Sequence, residues 1–315
     1  MSSNNDTVLA TATATPASAG VVSSSGGPLS RLRGLRWGDY LGVAPFLLFA
    51  ILFLIVPTVF LVVGAFVGHD GSFTLQNLVN LDTPQIISSF WISIRVSAAS
   101  AIVGALLGLI LALAVIRGRL PETVRSTVMT FSGVASNFAG IPLAFAFIAT
   151  LGRLGLVTVI LKLWPFEFDI YRHGFNLLSF WGLTITYCYF QIPLMVLIIA
   201  PAIDGLRKEW SEAASTLGAT PIQFWRYIGL PVLWPNLLGT LSLLFANAFG
   251  AIATAYALTG SSLNIVPILL YAQIRGDVLN NPGLGAALAL GMIVITALAN
   301  VVYLVIRTRA ERWLK

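Results

Sequence analysis

Glu212, Ala213 and Ala214, followed by Gly218 and then by Ile228, Leu230 and Pro231, form the stretch whose residue types and spacing point to a specific task. They lie in a segment, Pro201 to Asn236, between two long apolar runs. Leu206, Trp210, Ala213 or Ala214, and Leu217 recur at helical spacing, which predicts a short helix with one apolar face. Gly218 suits the left-handed residue that ends such a helix. Thr220, Pro221 and Gln223 then spell a T-x-x-Q capping box with proline at the first helical position. A second helix is expected there, carrying Ile222, Phe224, Trp225 and Ile228 and stopping at Pro231. Small alanines permit close approach, the Glu212 carboxylate accepts charge-assisted hydrogen bonds, and Phe224 and Trp225 are anchors for a partner surface. That chemistry is docking. The plainer alternative is an amphipathic helix lying on the membrane, with Glu212 paired to Lys208 at i,i+4.

Elsewhere, chemistry is sparse. Cys188 is the single cysteine and sits in an apolar stretch, so no internal disulfide and no metal-ligand spacing exist. His69 and His173 fall in loops without a second ligand or base partner at useful spacing. The sequence has no G-x-x-x-x-G-K-[ST] phosphate loop, so ATP hydrolysis is not expected in this chain. Uncharged polar residues do interrupt the apolar runs: Ser132, Ser136 and Asn137; Thr184, Thr186, Tyr187, Tyr189 and Gln191; Ser242, Asn247, Thr254 and Tyr256. They either line a path or join helices by hydrogen bonds. Asn137, Tyr187, Gln191, Asn247 and Thr254 are taken as path candidates, the asparagines first because a buried amide must face a partner or water.

The elements that hold these residues follow from composition. The 315 residues are 57% hydrophobic and 10% charged, against roughly 25% charged in an average soluble domain. Six apolar runs reach the roughly 20 residues that a spanning helix needs: Leu41 to Val67, Ser93 to Ile116, Thr130 to Leu151, Leu178 to Ala200, Leu237 to Leu258 and Ala286 to Ile306. The third and fifth carry the most polar interruptions, and Pro45, Pro57, Pro142 and Pro193 fall inside spans. Leu154 to Trp164, ended by Pro165, and Ile265 to Ile274 are too short to span and read as interfacial or re-entrant helices. No Asp, Glu, Lys, Arg or His occupies the middle of a span, which argues against proton- or sodium-coupled transport.

Charge asymmetry sets the orientation. With the N-terminus inside, Arg31, Arg33, Arg36, Arg117, Arg119, Arg125, Arg207, Lys208, Arg226, Arg307, Arg309, Arg312 and Lys315 face the cytoplasm. Arg95, Arg153, Lys162, Arg172 and Arg275 face outward, so both termini are expected inside. The net charge of +6 is scattered between apolar runs and forms no nucleic-acid patch. Outer-loop charges such as Asp70, Asp82, Glu167 and Asp169 are either solvated or meet a docking protein by complementary charge. Residues 1–36 are rich in Ser, Thr, Ala and Gly and are expected to be a disordered tail. The run after Arg31, Arg33 and Arg36 is too long for a signal-peptide core and is expected to stay as an anchor. A membrane domain over 37–309, with its loop at 201–236, and a tail over 310–315 complete the organisation.

The run from Glu212 to Pro231 resembles the EAA loop, E-A-A-x3-G-x9-I-x-L-P, of binding-protein-dependent ABC importer permeases, with every specified position matched. A looser resemblance extends from Leu41 to Arg309. It implies an all-α membrane protein with six transmembrane helices, the type I importer permease fold, and cytoplasmic termini. In that family the loop docks an ABC ATPase dimer, which carries the ATP and Mg; the permease itself binds no cofactor and is not an enzyme. The resemblance further implies a second permease subunit (a heterodimer before a homodimer), an extracytoplasmic solute-binding protein, the bilayer of the bacterial inner membrane, and no nucleic acid. The subgroup it looks most like imports spermidine or putrescine, sulfate, thiamine or ferric iron. Polyamine is the first expectation, with sulfate, thiamine, phosphonate or ferric iron behind it. A secondary transporter, a membrane-embedded enzyme and a structural membrane protein are the readings from other classes.

Overall fold

The computed structural model describes residues 37–68, 70–118, 120–163, 167–260, 262–275 and 281–311. The expected N-terminal tail over 1–36, Arg312 and Lys315, and the loop residues His69, Arg119, Trp164 and Pro165 lie outside them. The described residues are helical: α1 Trp37–Ala50, α2 Val56–Gly64, α3 Gln76–Val79, α4 Pro84–Arg117, α5 Glu122–Asn137, α6 Ile141–Leu151 and α7 Leu156–Lys162. There follow α8 Phe180–Asp204, α9 Lys208–Thr216, α10 Pro221–Phe224, α11 Leu230–Phe249, α12 Ile252–Thr259, α13 Val266–Arg275 and α14 Pro282–Glu311. Six stretches are long and apolar enough to cross a bilayer: Gly42–Gly64, Pro84–Arg117, Ile141–Lys162, Phe180–Asp204, Pro221–Phe249 and Pro282–Arg309. The expected number of spans is met, and the third and fifth are drawn differently, the fifth beginning at Pro221 within the expected loop and ending at Phe249.

The third expected span, Thr130 to Leu151, is split. α5 ends at Asn137, three residues lead to α6, and the apolar stretch continues through α7 to Lys162. The Asn137 amide bonds back to the Gly133 carbonyl at 2.9 Å, Gly140 adopts φ +76, and Pro142, in the first turn of α6, has no N–H to give. The stretch expected to be interfacial is therefore α7, the continuation of this span. The fifth span is also split, at Gly250–Ala251 between α11 and α12.

Pro231 does not stop the second loop helix. A π turn, Trp225–Gly229, carries α10 directly into α11, with the Leu230 N–H reaching the Trp225 carbonyl five residues back. The wider turn accommodates the proline ring and its missing donor. A second π turn, Ile51–Ile55, precedes Pro57 at the same offset, with the Val56 N–H bonded to the Ile51 carbonyl. In both places the helix bulges instead of ending.

From Pro57 onward the chain forms one unit built around α8, whose apolar window is 61% buried. α4 packs along it through Gly104 and Gly108, small residues that let two backbones approach closely. A Cβ placed on Gly108 would lie 2.5 Å from Met195 Cβ and 2.7 Å from the Ile192 carbonyl oxygen. Gly108→Leu is expected to destabilise the bundle by about 1–3 kcal/mol through overpacking. Thermal denaturation in detergent checks it; an unchanged midpoint would contradict the packing described.

The loop after α7 is tied down at Asp169. Its carboxylate accepts from the Tyr171 N–H at 3.0 Å and pairs with Lys162 at 3.3 Å and Arg172 at 3.7 Å. Partial desolvation pushes the acid upward, but the Tyr171 N–H, Lys162 and the Arg172 N–H outweigh it, so Asp169 titrates below its ordinary value of 3.8. A lowered folded value means that the stabilisation is complete above the unfolded value and fades as pH falls through the folded one. Hydrogen exchange at the Tyr171 amide, corrected for its intrinsic rate, is expected to accelerate between about pH 5 and pH 3, spanning the carboxylate range. Asp169→Asn should remove that pH dependence.

Candidate translocation cavity and docking loop

The two split spans meet at their breaks. The Gly140 N–H donates to Thr254 Oγ1 at 2.7 Å, and the Tyr187 hydroxyl of α8 donates to the Ala251 carbonyl. Helix breaks expose backbone groups that hydrocarbon cannot satisfy, so side chains must do so. Around this junction lies an open cavity of about 510 Å³, lined by Ser136, Asn137, Phe190, Asn247, Thr254 and the backbone of both breaks. Asn247 is exposed to it, and its amide has no hydrogen-bond partner among the described groups. Among the described residues no charged side chain lines it.

Three of the five path candidates, Asn137, Asn247 and Thr254, therefore come together. Tyr187 stands behind the cavity as a support, 1% exposed. Gln191 lies elsewhere: fully buried, it donates to Ser100 Oγ at 2.8 Å and faces Gly104 of α4. It joins helices, as does Ser242, which bonds Asn300 at 3.3 Å. Thr184 and Thr186 bond carbonyls of their own helix at 2.7 and 2.9 Å. The sequence reading missed Gly140, Gly250 and Ala251, whose backbone shapes the cavity. The run Ala139-Gly140-Ile141-Pro142 was the available signal, a helix end followed by a proline start.

Within 201–236, α8 runs on to Asp204 and α11 begins at Leu230, and the turn at Gly218 and the cap at Thr220 form as their local signals direct. α9 ends in a Schellman arrangement: Gly218 at φ +79, its N–H on the Ser215 carbonyl at 2.9 Å, and the Ala219 N–H on the Ala214 carbonyl at 2.9 Å. Thr220 and Gln223 then make both bonds of the capping box, at 3.3 and 2.7 Å. Ala214 is buried, whereas Glu212, Ala213 and Gly218 are exposed. Among the described residues Glu212 has no ion-pair partner, and the alternative pair with Lys208 does not form. Leu217 is 87% exposed and Ile222 79%, with Tyr227 and Leu230 also exposed and Ile228 half-buried. Phe224, taken with Trp225 as an anchor, is buried in this chain and meets Trp225 edge-on at 5.8 Å. Leu217, Ile222 and Tyr227 are the most exposed apolar side chains of the segment.

Residues 104–314 match the family described as binding-protein-dependent transport system inner membrane component. The chain belongs to that family. This permease is a subunit of an ABC importer, a multi-pass membrane protein of the bacterial inner membrane type, and a transporter component, not an enzyme. It is 27% identical over 224 residues to the molybdenum transport permease ModB of Mycobacterium tuberculosis, covering 69% of this chain and 78% of that one. It is 27% identical to the sulfate transport permease CysT of Escherichia coli, over 62% of this chain and 68% of the relative. With the putrescine transport permease PotI of Escherichia coli it shares 25%, over 72% and 75%. Among solved structures, a bacterial ABC transporter importing the acidic polysaccharide alginate superposes with TM-score 0.66 at 19% identity, covering 89% of this chain and 96% of its own. The methionine transporter MetNI gives 0.55 at 16%, covering 71% and 95%. These likenesses support the type I permease fold.

Proposed function

We propose that this permease forms half of a solute path driven by ATP hydrolysis in a separate ATPase, which docks on the exposed face of the 201–236 loop. The observation that carries this reading is that face: an unpaired Glu212 beside Leu217, Ile222 and Tyr227, held rigid by the Gly218 turn and the Thr220 cap. Leu217 lies before the fifth span and Ile222 and Tyr227 in its first turns, and apolar side chains so exposed beside a charged, polar loop suit a covering protein. The loop and both termini then face the cytoplasm, in keeping with the basic residues counted on that side. ATP and Mg belong to the ATPase. A second permease chain, a different one before a second copy of this one, closes the open side of the cavity, and an outer binding protein delivers the solute. Among the described residues that line the cavity none is charged, which favours an external energy source over secondary transport.

For the cargo, the favoured class is a small oxyanion, with a polyamine as the second reading. The relatives above divide between molybdenum or sulfate and putrescine. The cavity supplies an unpartnered amide donor at Asn247 and, among its lining residues, no carboxylate, the group that would ordinarily meet a polyamine dication. Calorimetry on the binding protein encoded beside this permease, titrated with molybdate, sulfate and putrescine, tests it. Tight binding of molybdate or sulfate is expected; tight binding of putrescine alone would overturn the oxyanion assignment.

A further inference from the structure

Two arginines tie the membrane helices to the root of the docking loop. Arg125, in the first turns of α5, bonds both carboxylate oxygens of Asp204 through Nη2, at 2.8 and 3.1 Å. Asp204 is the last residue of α8, where the negative end of the helix disfavours a carboxylate. The helix does not explain its presence there; Arg125 does. Arg117, the last residue of α4, donates Nη2 to the Leu206 carbonyl at 3.2 Å. Leu206 is buried in the same apolar cluster as Ile199 and Ile203, so that grip is on a fixed point. The Arg117 Nε is buried without a hydrogen-bond partner among the described groups, a cost that packing alone does not offset.

From Arg125 the helix α5 runs about 18 Å, at 1.5 Å per residue, to Asn137 in the cavity wall. An exposed ion pair adds little to stability, so the value of the Arg125–Asp204 pair is geometric. We infer that Arg117 and Arg125 are positioning residues that transmit movement of the loop to the cavity, with α5 as the rod between Asp204 and the break at Phe138–Gly140. The inference rests on the docking reading of the loop.

The test uses the full transporter complex in liposomes, in a Cys188→Ser background with Ala253→Cys as a reporter in the cavity wall. Its rate of maleimide labelling is measured with and without ATP plus vanadate. With the clamp intact, the nucleotide is expected to change the rate by about tenfold, as a two-state opening would. Arg125→Asp should abolish that change while the ATPase still co-purifies and hydrolyses ATP; Arg117→Met should weaken it. Arg125→Asp combined with Asp204→Arg should restore it, and an unchanged thermal midpoint in Arg125→Asp alone separates this role from one in folding. A full nucleotide response in Arg125→Asp, loss of the ATPase from that variant, or no rescue in the assembled double reversal would overturn the inference. No response even with the clamp intact would remove the docking reading and the inference with it.

Discussion

Gly218→Trp is expected to leave the membrane bundle folded and to abolish uptake. At φ +79 any L-residue is strained, by about 1–2 kcal/mol, and the cost falls on the turn that closes α9. That turn lies outside the buried clusters of the bundle, and a Cβ at Gly218 meets nothing within 4 Å. The indole would instead project from the exposed loop into the space that the partner must occupy. Glu212→Lys acts on the same surface by charge reversal, since its carboxylate is exposed and unpaired among the described residues. Each variant is expected to weaken ATPase retention by on the order of thirtyfold, the effect of losing an interface hot spot of about 2 kcal/mol. Co-purification of the ATPase, alongside an unchanged thermal midpoint, measures it. Normal retention and normal uptake in both variants would contradict the docking assignment.

Thr254→Val is expected to damage the cavity. The valine keeps the shape of the side chain but leaves the Gly140 N–H without its 2.7 Å acceptor at a helix break inside the membrane. A fully buried donor left orphaned costs about 1–3 kcal/mol, and for this part-buried N–H the loss is expected at the lower end of that range. The α5–α6 and α11–α12 junctions should then separate or draw in water, lowering both thermal stability and uptake while ATPase retention stays normal. Thr254→Ser, which keeps the hydroxyl, should behave as the unaltered protein. Equal effects of valine and serine would show that the hydrogen bond does not hold the junction.

Legibility in the sequence followed the range of the interactions. The Gly218 turn and the Thr220–Gln223 cap were readable because every partner lies within six residues. Hydropathy placed six spans because a bilayer demands long apolar runs. It failed at the breaks in the third and fifth spans. Those breaks are stable only because Thr254 reaches Gly140, 114 residues away, and Tyr187 reaches Ala251, 64 residues away. A window of neighbouring residues carries no trace of such partners. The same blindness made Pro231 look like a stop, when a π turn carries the helix past it. The path candidates fared according to chemistry. The asparagines and Thr254 gathered at one cavity, whereas Gln191 found a partner on α4 and was spent on helix packing.

The central claim is that this permease moves its solute with energy supplied through the 201–236 loop. The most direct measurement reconstitutes the chain with its partner permease, ATPase and binding protein in liposomes and follows accumulation of radiolabelled molybdate, sulfate and putrescine, with ATP supplied on the ATPase side. The account predicts accumulation of one of these solutes that requires ATP and disappears when Gly218→Trp is introduced. Accumulation driven by a proton or sodium gradient without ATP, or ATP-driven accumulation undiminished by Gly218→Trp, would contradict it.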